Sequence, residues 1–164
     1  MHAGQKRFLE ERFGARSWYG RSKHGRRVIR DFDFEGREIR GWTLQHAKRR
    51  ADPPGVRSLW RHDDSLDELL GIDVVECGSV KAAHDQLLEA LGNIESGAIE
   101  RRADKNAPGD VAFGLANTML LFALANLVVW IRNAGRKLTP VGTIARDLDA
   151  LLVRKLGPVR RRPD

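Results

Sequence analysis

The chain holds a single cysteine, Cys77, in 164 residues, so an internal disulfide is excluded and a reducing, cytoplasmic setting is expected. Its five histidines (His2, His24, His46, His62 and His84) show no ligand spacing, and with one thiol no zinc site is expected. Neither a phosphate-cradling P-loop nor a dinucleotide-binding glycine fingerprint occurs, and no cofactor is expected. The first dozen residues, Met-His-Ala-Gly-Gln-Lys-Arg-Phe-Leu-Glu-Glu-Arg, lack an apolar segment, so no secretory signal is expected. Acidic residues are scarce where basic ones gather. Residues 1–62 carry 16 basic and 7 acidic side chains, residues 63–110 carry 4 and 12, and residues 111–164 carry 9 and 3.

What is present is ordinary for one folded domain: 41% hydrophobic and 31% charged residues, with a net charge of +7. Arginine outnumbers lysine 22 to 7, a bias that suits phosphate recognition and also follows from genome base composition. The unusual feature is a run of 21 residues without a charge, Val111 through Ile131. A bilayer-spanning helix needs roughly 20 apolar residues, so a single-pass membrane protein is one reading. Its internal punctuation favours another. Gly114 with Asn117, and then Asn126, fall where turns would, and Leu127–Ile131 is β-branched and aromatic, so three short strands are expected.

Periodicity and punctuation lay out the rest. Lys6–Phe13 reads as a short amphipathic helix closed by Gly14, and Ser17–Arg27 as a basic connector. Val28–Phe34 alternates and is read as a strand, turned at Glu35-Gly36 into a second strand, Ile39–Leu44. Asp52-Pro53-Pro54-Gly55 starts a loop, Arg57–Arg61 is a short strand, and an acidic turn leads to a strand over Leu69–Cys77. Ser79 caps a helix over Val80–Leu91, with Val80, Ala83, Leu87 and Leu91 as its buried stripe. Thr139-Pro140 starts a last helix that buries Val141, Ile144, Leu148, Leu151 and Leu152. The order predicts an α+β fold: an antiparallel sheet of about six to seven strands with helices packed on it. Residues 1–27 form an N-terminal helix and connector, residues 28–157 the domain, and residues 158–164 a disordered basic tail.

Several stretches are distinctive: Gly41-Trp42, Leu59-Trp60-Arg61, Ile72–Ser79 leading into Ala82-Ala83-His84, Gly109–Phe113 and Asn126–Val129. Together they resemble a loose group of uncharacterised bacterial α+β domains, some similar to PsbP-like sandwiches. The resemblance implies that the apolar run is β, brings no catalytic residues, and differs in one respect: members of that group often begin with an export signal.

Three constellations have chemistry to weigh against a structural role. Cys77 stands where a strand meets a helix N-terminus, which lowers a thiol's pKa, and His84 follows on that helix as a candidate base. Burial of both is the simpler reading. Asp31, Asp33 and Glu35 alternate on the expected first strand and suit a hard cation, with salt bridges to Arg30, Arg37 and Arg40 as the default. Arg16, Trp18, Tyr19, Arg21, Lys23, Arg26 and Arg27 interleave rings and cations, a pattern that suits nucleic acid unless the rings are tucked on the core. Trp42, Trp60 and Trp130 are expected in the core. The sequence is best read as a soluble, non-enzymatic module that binds a protein or small ligand on its sheet or at an edge, with homodimerisation through such an edge. A basic nucleic-acid-binding domain using residues 16–50 is the alternative, ahead of the membrane protein.

Overall fold

Seven strands pair antiparallel into one sheet in the computed structural model, which describes residues 1–157; the expected tail lies outside the described residues. In chain order come α1 (Ala3–Arg12), a short 3-10 turn (Ala15–Ser17), β1 (Trp42–Ala51), β2 (Pro54–His62), β3 (Leu69–Glu76) and α2 (Val80–Gly92). Then follow β4 (Glu100–Arg102), β5 (Val111–Leu115), β6 (Met119–Leu124), β7 (Leu127–Asn133) and α3 (Gly142–Lys155). The strands lie in the order β1-β2-β3-β7-β6-β5-β4, so β7 returns to the middle and pairs with β3. The α+β class and the antiparallel sheet are as the sequence implied.

The charge-free run is β5, β6 and β7, and no helix among the described residues is long and apolar enough to cross a membrane. The two turns inside it fall at Ala116-Asn117 and Ala125-Asn126, with Ala116 and Ala125 at φ 47° and 50°. Gly114, expected at a turn, instead sits within β5. A Cβ there would come within 2.6 Å of Arg102 Nε, so the glycine lets that arginine lie across the strand. The run is apolar throughout because the sheet is covered on both sides. Leu120, Phe122 and Leu124 of β6 face a core closed by α3 (Ile144, Ala145, Leu148, Leu152). Leu121 and Ala123 face a second core closed by α2 (Ala83, Leu87, Leu91), α1 (Leu9) and Trp18. Neither face of β6 has a position suited to a polar side chain.

The first core is completed by residues 28–41, and here the expectation fails. Val28–Phe34 and Ile39–Gly41 form no strand, and there is no hairpin at Glu35-Gly36; the segment is a strap laid over the sheet. Ile29, Phe32, Phe34 and Ile39 are buried, and Phe34 packs edge-on to Phe32 and Trp60 with centroids 5.1 and 5.4 Å away. An extended chain alternates its side chains whether or not it pairs, and the apolar rhythm recorded that alternation. Asp31, at φ 53°, interrupts the extension. Asn126 fixes the strap. Its buried amide accepts from Ile29 N at 2.7 Å and donates to Ile29 O and Cys77 O at 2.8 and 2.9 Å.

The strand expected to end at Leu44 continues through a bulge to Ala51, turns at Asp52-Pro53 (a cis peptide), and makes a long hairpin with β2. The short β4 consists of three charged residues, with no apolar alternation to mark it in the sequence. At α2, Ser79 Oγ accepts from Ala82 N at 3.1 Å, the expected cap. Residues 1–27 are not a separate appendage: Leu9, Phe13 and Trp18 belong to the second core.

Candidate functional site

Alternation along the strands decides which side chains meet solvent. On β2, Val56, Ser58 and Trp60 face the first core, which turns Arg57, Leu59 and Arg61 to the other side. On β3, Leu70, Ile72 and Val74 point inward, which turns Gly71, Asp73 and Val75 the same way as Arg57. Beyond the bulge, β1 sets His46, Lys48 and Arg50 on that side, opposite Leu59, Arg57 and Gly55. α2 packs on β6 and β7, so its layer stops short of the hairpin. The surface left bare is a sheet face rich in arginine.

Its centre is Asp73, whose neighbours in the sheet are Arg57 on β2 and Trp130 on β7. Asp73 Oδ1 lies 3.3 Å from Arg57 Nε, and Oδ2 lies 3.1 Å from Arg132 Nη1. The carboxylate is 12% exposed, against 55% for Arg57 and 34% for Arg132, so it sits beneath the two guanidinium groups. Arg132 also lies over the Trp130 ring, 5.2 Å from its centroid. Gly71 gives it room, since a Cβ there would approach Arg132 Cζ and Nε to 3.3 Å. One acid therefore orients two arginines whose remaining N–H groups stay available. With Lys48, Arg50 and Arg61 the strands present five cationic side chains on the face of this carboxylate, and His46 stands beside them. Beneath them Arg61 Nε and Trp130 Nε1 are buried without a hydrogen-bond partner among the described residues.

The residues singled out from sequence lie elsewhere. Cys77 is half-buried, and its backbone is tied to Asn126 and Arg30. Burial, with the Glu76 charge beside it, pushes the thiol up to about 11, opposite to the activation expected of a helix N-terminus. His84 is fully buried against Trp18, ring centroids 5.2 Å apart. Its Nδ1 accepts from Gly20 N at 2.8 Å, while Nε2 is buried without a partner among the described residues. Desolvation lowers its pKa, against the pull of Asp110 and Asp85. The imidazole thus joins the connector to α2.

Asp31, Asp33 and Glu35 sit on the strap rather than on a strand. Asp33 pairs with Arg49 at 3.5 Å, and Arg30, an expected salt-bridge partner, donates instead to Cys77 O and Gly78 O. Among the described residues no group of three or more acids, histidines or cysteines is gathered for a metal ion.

The connector folds its rings inward. Trp18 is 3% exposed and donates from Nε1 to Phe13 O. The Tyr19 hydroxyl donates to Asp85 Oδ1 at 2.7 Å, and Lys6 Nζ reaches the same oxygen at 2.9 Å. Burial by itself would raise the Asp85 carboxyl; the bonds from Tyr19 and Lys6 outweigh it and hold the group below its ordinary range. Lys23 donates to Gly109 O and Arg27 to Gly157 O, leaving Arg16, Arg21 and Arg26 exposed. Trp42 and Trp60 are buried in the first core, and Trp130 is half-buried under Arg132.

Two clefts are less suggestive. One of about 200 Å³ is lined by Arg102, Asp104, Asn106 and Arg146, and an open depression of about 610 Å³ by Arg7, Glu10, Glu11 and Arg16. Neither lining sets a nucleophile beside a base. Sequence reasoning missed His46, Lys48, Arg50 and Arg132 as a group. The signal was there in the alternate basic positions 46, 48 and 50 before a proline turn, but it lacked the apolar partner positions that mark a strand. Comparison with protein-family models, with curated proteins and with solved structures finds no match to this chain.

Proposed function

We propose that this protein is a non-enzymatic binding module whose bare sheet face, formed by β1, β2, β3 and the end of β7, holds an anionic partner or ligand. One observation carries the reading: Lys48, Arg50, Arg57, Arg61 and Arg132 share one sheet face, and the carboxylate at its centre, Asp73, positions two of them. Charges gathered on a fixed scaffold attract an oppositely charged partner over roughly a Debye length, about 10 Å at 0.1 M salt. The high pKa of Cys77 and the coreward burial of His84 support the non-enzymatic half of the proposal. A reducing, cytoplasmic location belongs to it too, supported by the lone thiol.

The test is a titration of three polyanions (poly-L-glutamate, polyphosphate and a single-stranded oligonucleotide) followed by tryptophan fluorescence at low and at moderate salt. Binding of at least one, weakened by salt and weakened tenfold or more in a Lys48→Glu/Arg50→Glu variant, is the expected result. Equal binding by that variant, or no binding of any probe at low salt, would end the proposal. Nucleic acid is the second reading. The exposed residues Gln45–Arg50 of β1 fall within residues 16–50, which supports it, whereas Trp18 and Tyr19 are turned to the core and offer no stacking platform.

A further inference from the structure

We infer that the partner at this face is an extended acidic segment of another protein, added to the free edge of β1 as an eighth strand. The inference rests on the anion-binding reading and names its occupant. β1 ends the sheet and, among the described residues, pairs only with β2. Its ten residues make it the longest strand, and from Gln45 to Ala51 every one is exposed. An edge of this kind turns alternate N–H and C=O groups outward as a template for another strand. Among the described residues none donates to or accepts from the outer backbone groups of His46–Ala51.

The side chains state what that strand should carry. His46, Lys48 and Arg50 follow one another at every second residue, about 6.6 Å apart along the strand. A neighbouring strand with Asp or Glu at alternate positions would set its carboxylates directly opposite them, at roughly 5 Å between Cβ atoms. Arg57 stands one strand further in, in register with Lys48, and adds a second rank of charge. The opposite side of β1 presents Ala47 and Arg49, and Arg49 is already paired with Asp33, so that side asks for neutral residues. Backbone bonds would supply affinity and the alternating carboxylates specificity.

The other occupants fit less well. A second copy of the chain pairing through the same edge would set Lys48, Arg49 and Arg50 against like charges, which destabilises cross-strand neighbours. Single-stranded nucleic acid gains most from exposed rings, and here Trp130 lies under Arg132 while Trp42 and Trp60 face the core.

The experiment uses the full chain and four labelled probes: a ten-residue peptide alternating glutamate with threonine, the same composition with its glutamates contiguous, the alternating peptide N-methylated at every second amide, and an oligothymidylate. Anisotropy measures affinity, and amide hydrogen exchange reports on β1. The expected result is that the alternating peptide binds at least tenfold more tightly than the N-methylated and contiguous forms. It should also slow exchange at alternate amides between His46 and Ala51. If the N-methylated peptide binds as well as its parent, strand addition is wrong while the anion-binding face stands. Tighter binding of the oligothymidylate than of any peptide gives the face to nucleic acid and overturns this inference alone. Failure of all four probes at low salt overturns both readings.

Discussion

Asn126 joins three segments through one side chain, holding the strap at Ile29 and the end of β3 at Cys77 from within a β-turn. Asn126→Leu would fill the space but leave the Ile29 amide and carbonyl buried without partners, with Cys77 O keeping only its bond from Arg30. A loss of about 2–6 kcal/mol in urea denaturation is expected, since each of the two orphaned groups costs roughly 1–3 kcal/mol. His84 gives a pH dependence with a definite sign. Its native pKa lies below the ordinary value near 6.5, so the unfolded chain takes up a proton that the folded imidazole resists. Its contribution to stability is full above about pH 7 and is lost as pH falls through the unfolded value. The urea midpoint should therefore drop between about pH 7 and pH 5, and the drop should shrink in His84→Asn. Cys77, with its thiol pushed up to about 11, should react with iodoacetamide at pH 7.5 far more slowly than free cysteine, and accelerate only in strongly alkaline buffer.

At the level of elements, what was legible in the chain followed how completely a pattern implied its own partner. α2 announced itself because Ser79 caps it, and Ala83, Leu87 and Leu91 form a stripe one turn apart. β5, β6 and β7 were readable from the asparagines between successive strands and from β-branched composition, although the first turn pivots on Ala116 rather than Gly114. The strap was misread because burial of Phe32 and Phe34 tells that a chain is extended over a core, not that its amides pair with a neighbour. The basic half of β1 was missed for the converse reason: it pairs with β2 along its length yet buries nothing after Leu44. The bare face itself needed three strands to be placed side by side, which no local pattern states. Phe34→Ala tests the strap directly. A loss of about 3–5 kcal/mol is expected in chemical denaturation, as for any core phenylalanine, whereas exposed Glu35→Ala should change stability by no more than about 0.5 kcal/mol.

For the molecule as a whole, the sheet separates two cores that share strands but few side chains, one closed by the strap and α3, the other by α1, Trp18 and α2. The hairpin of β1 and β2 extends past the second of these, which is why it presents cations on a bare face. A ligand that binds only the folded form stabilises it by mass action. Addition of poly-L-glutamate at low salt should accordingly raise the melting temperature, and about 0.5 M sodium chloride should abolish the rise. The doubly covered strand β6 has a consequence of its own. From Leu120 to Val129 ten successive side chains are enclosed, odd and even alike. A systematic substitution survey should therefore reject charge at all ten sites, with none of the every-other-residue tolerance by which ribbons at a surface reveal themselves. To such a survey, a stretch that no lipid surrounds would look like one steeped in it.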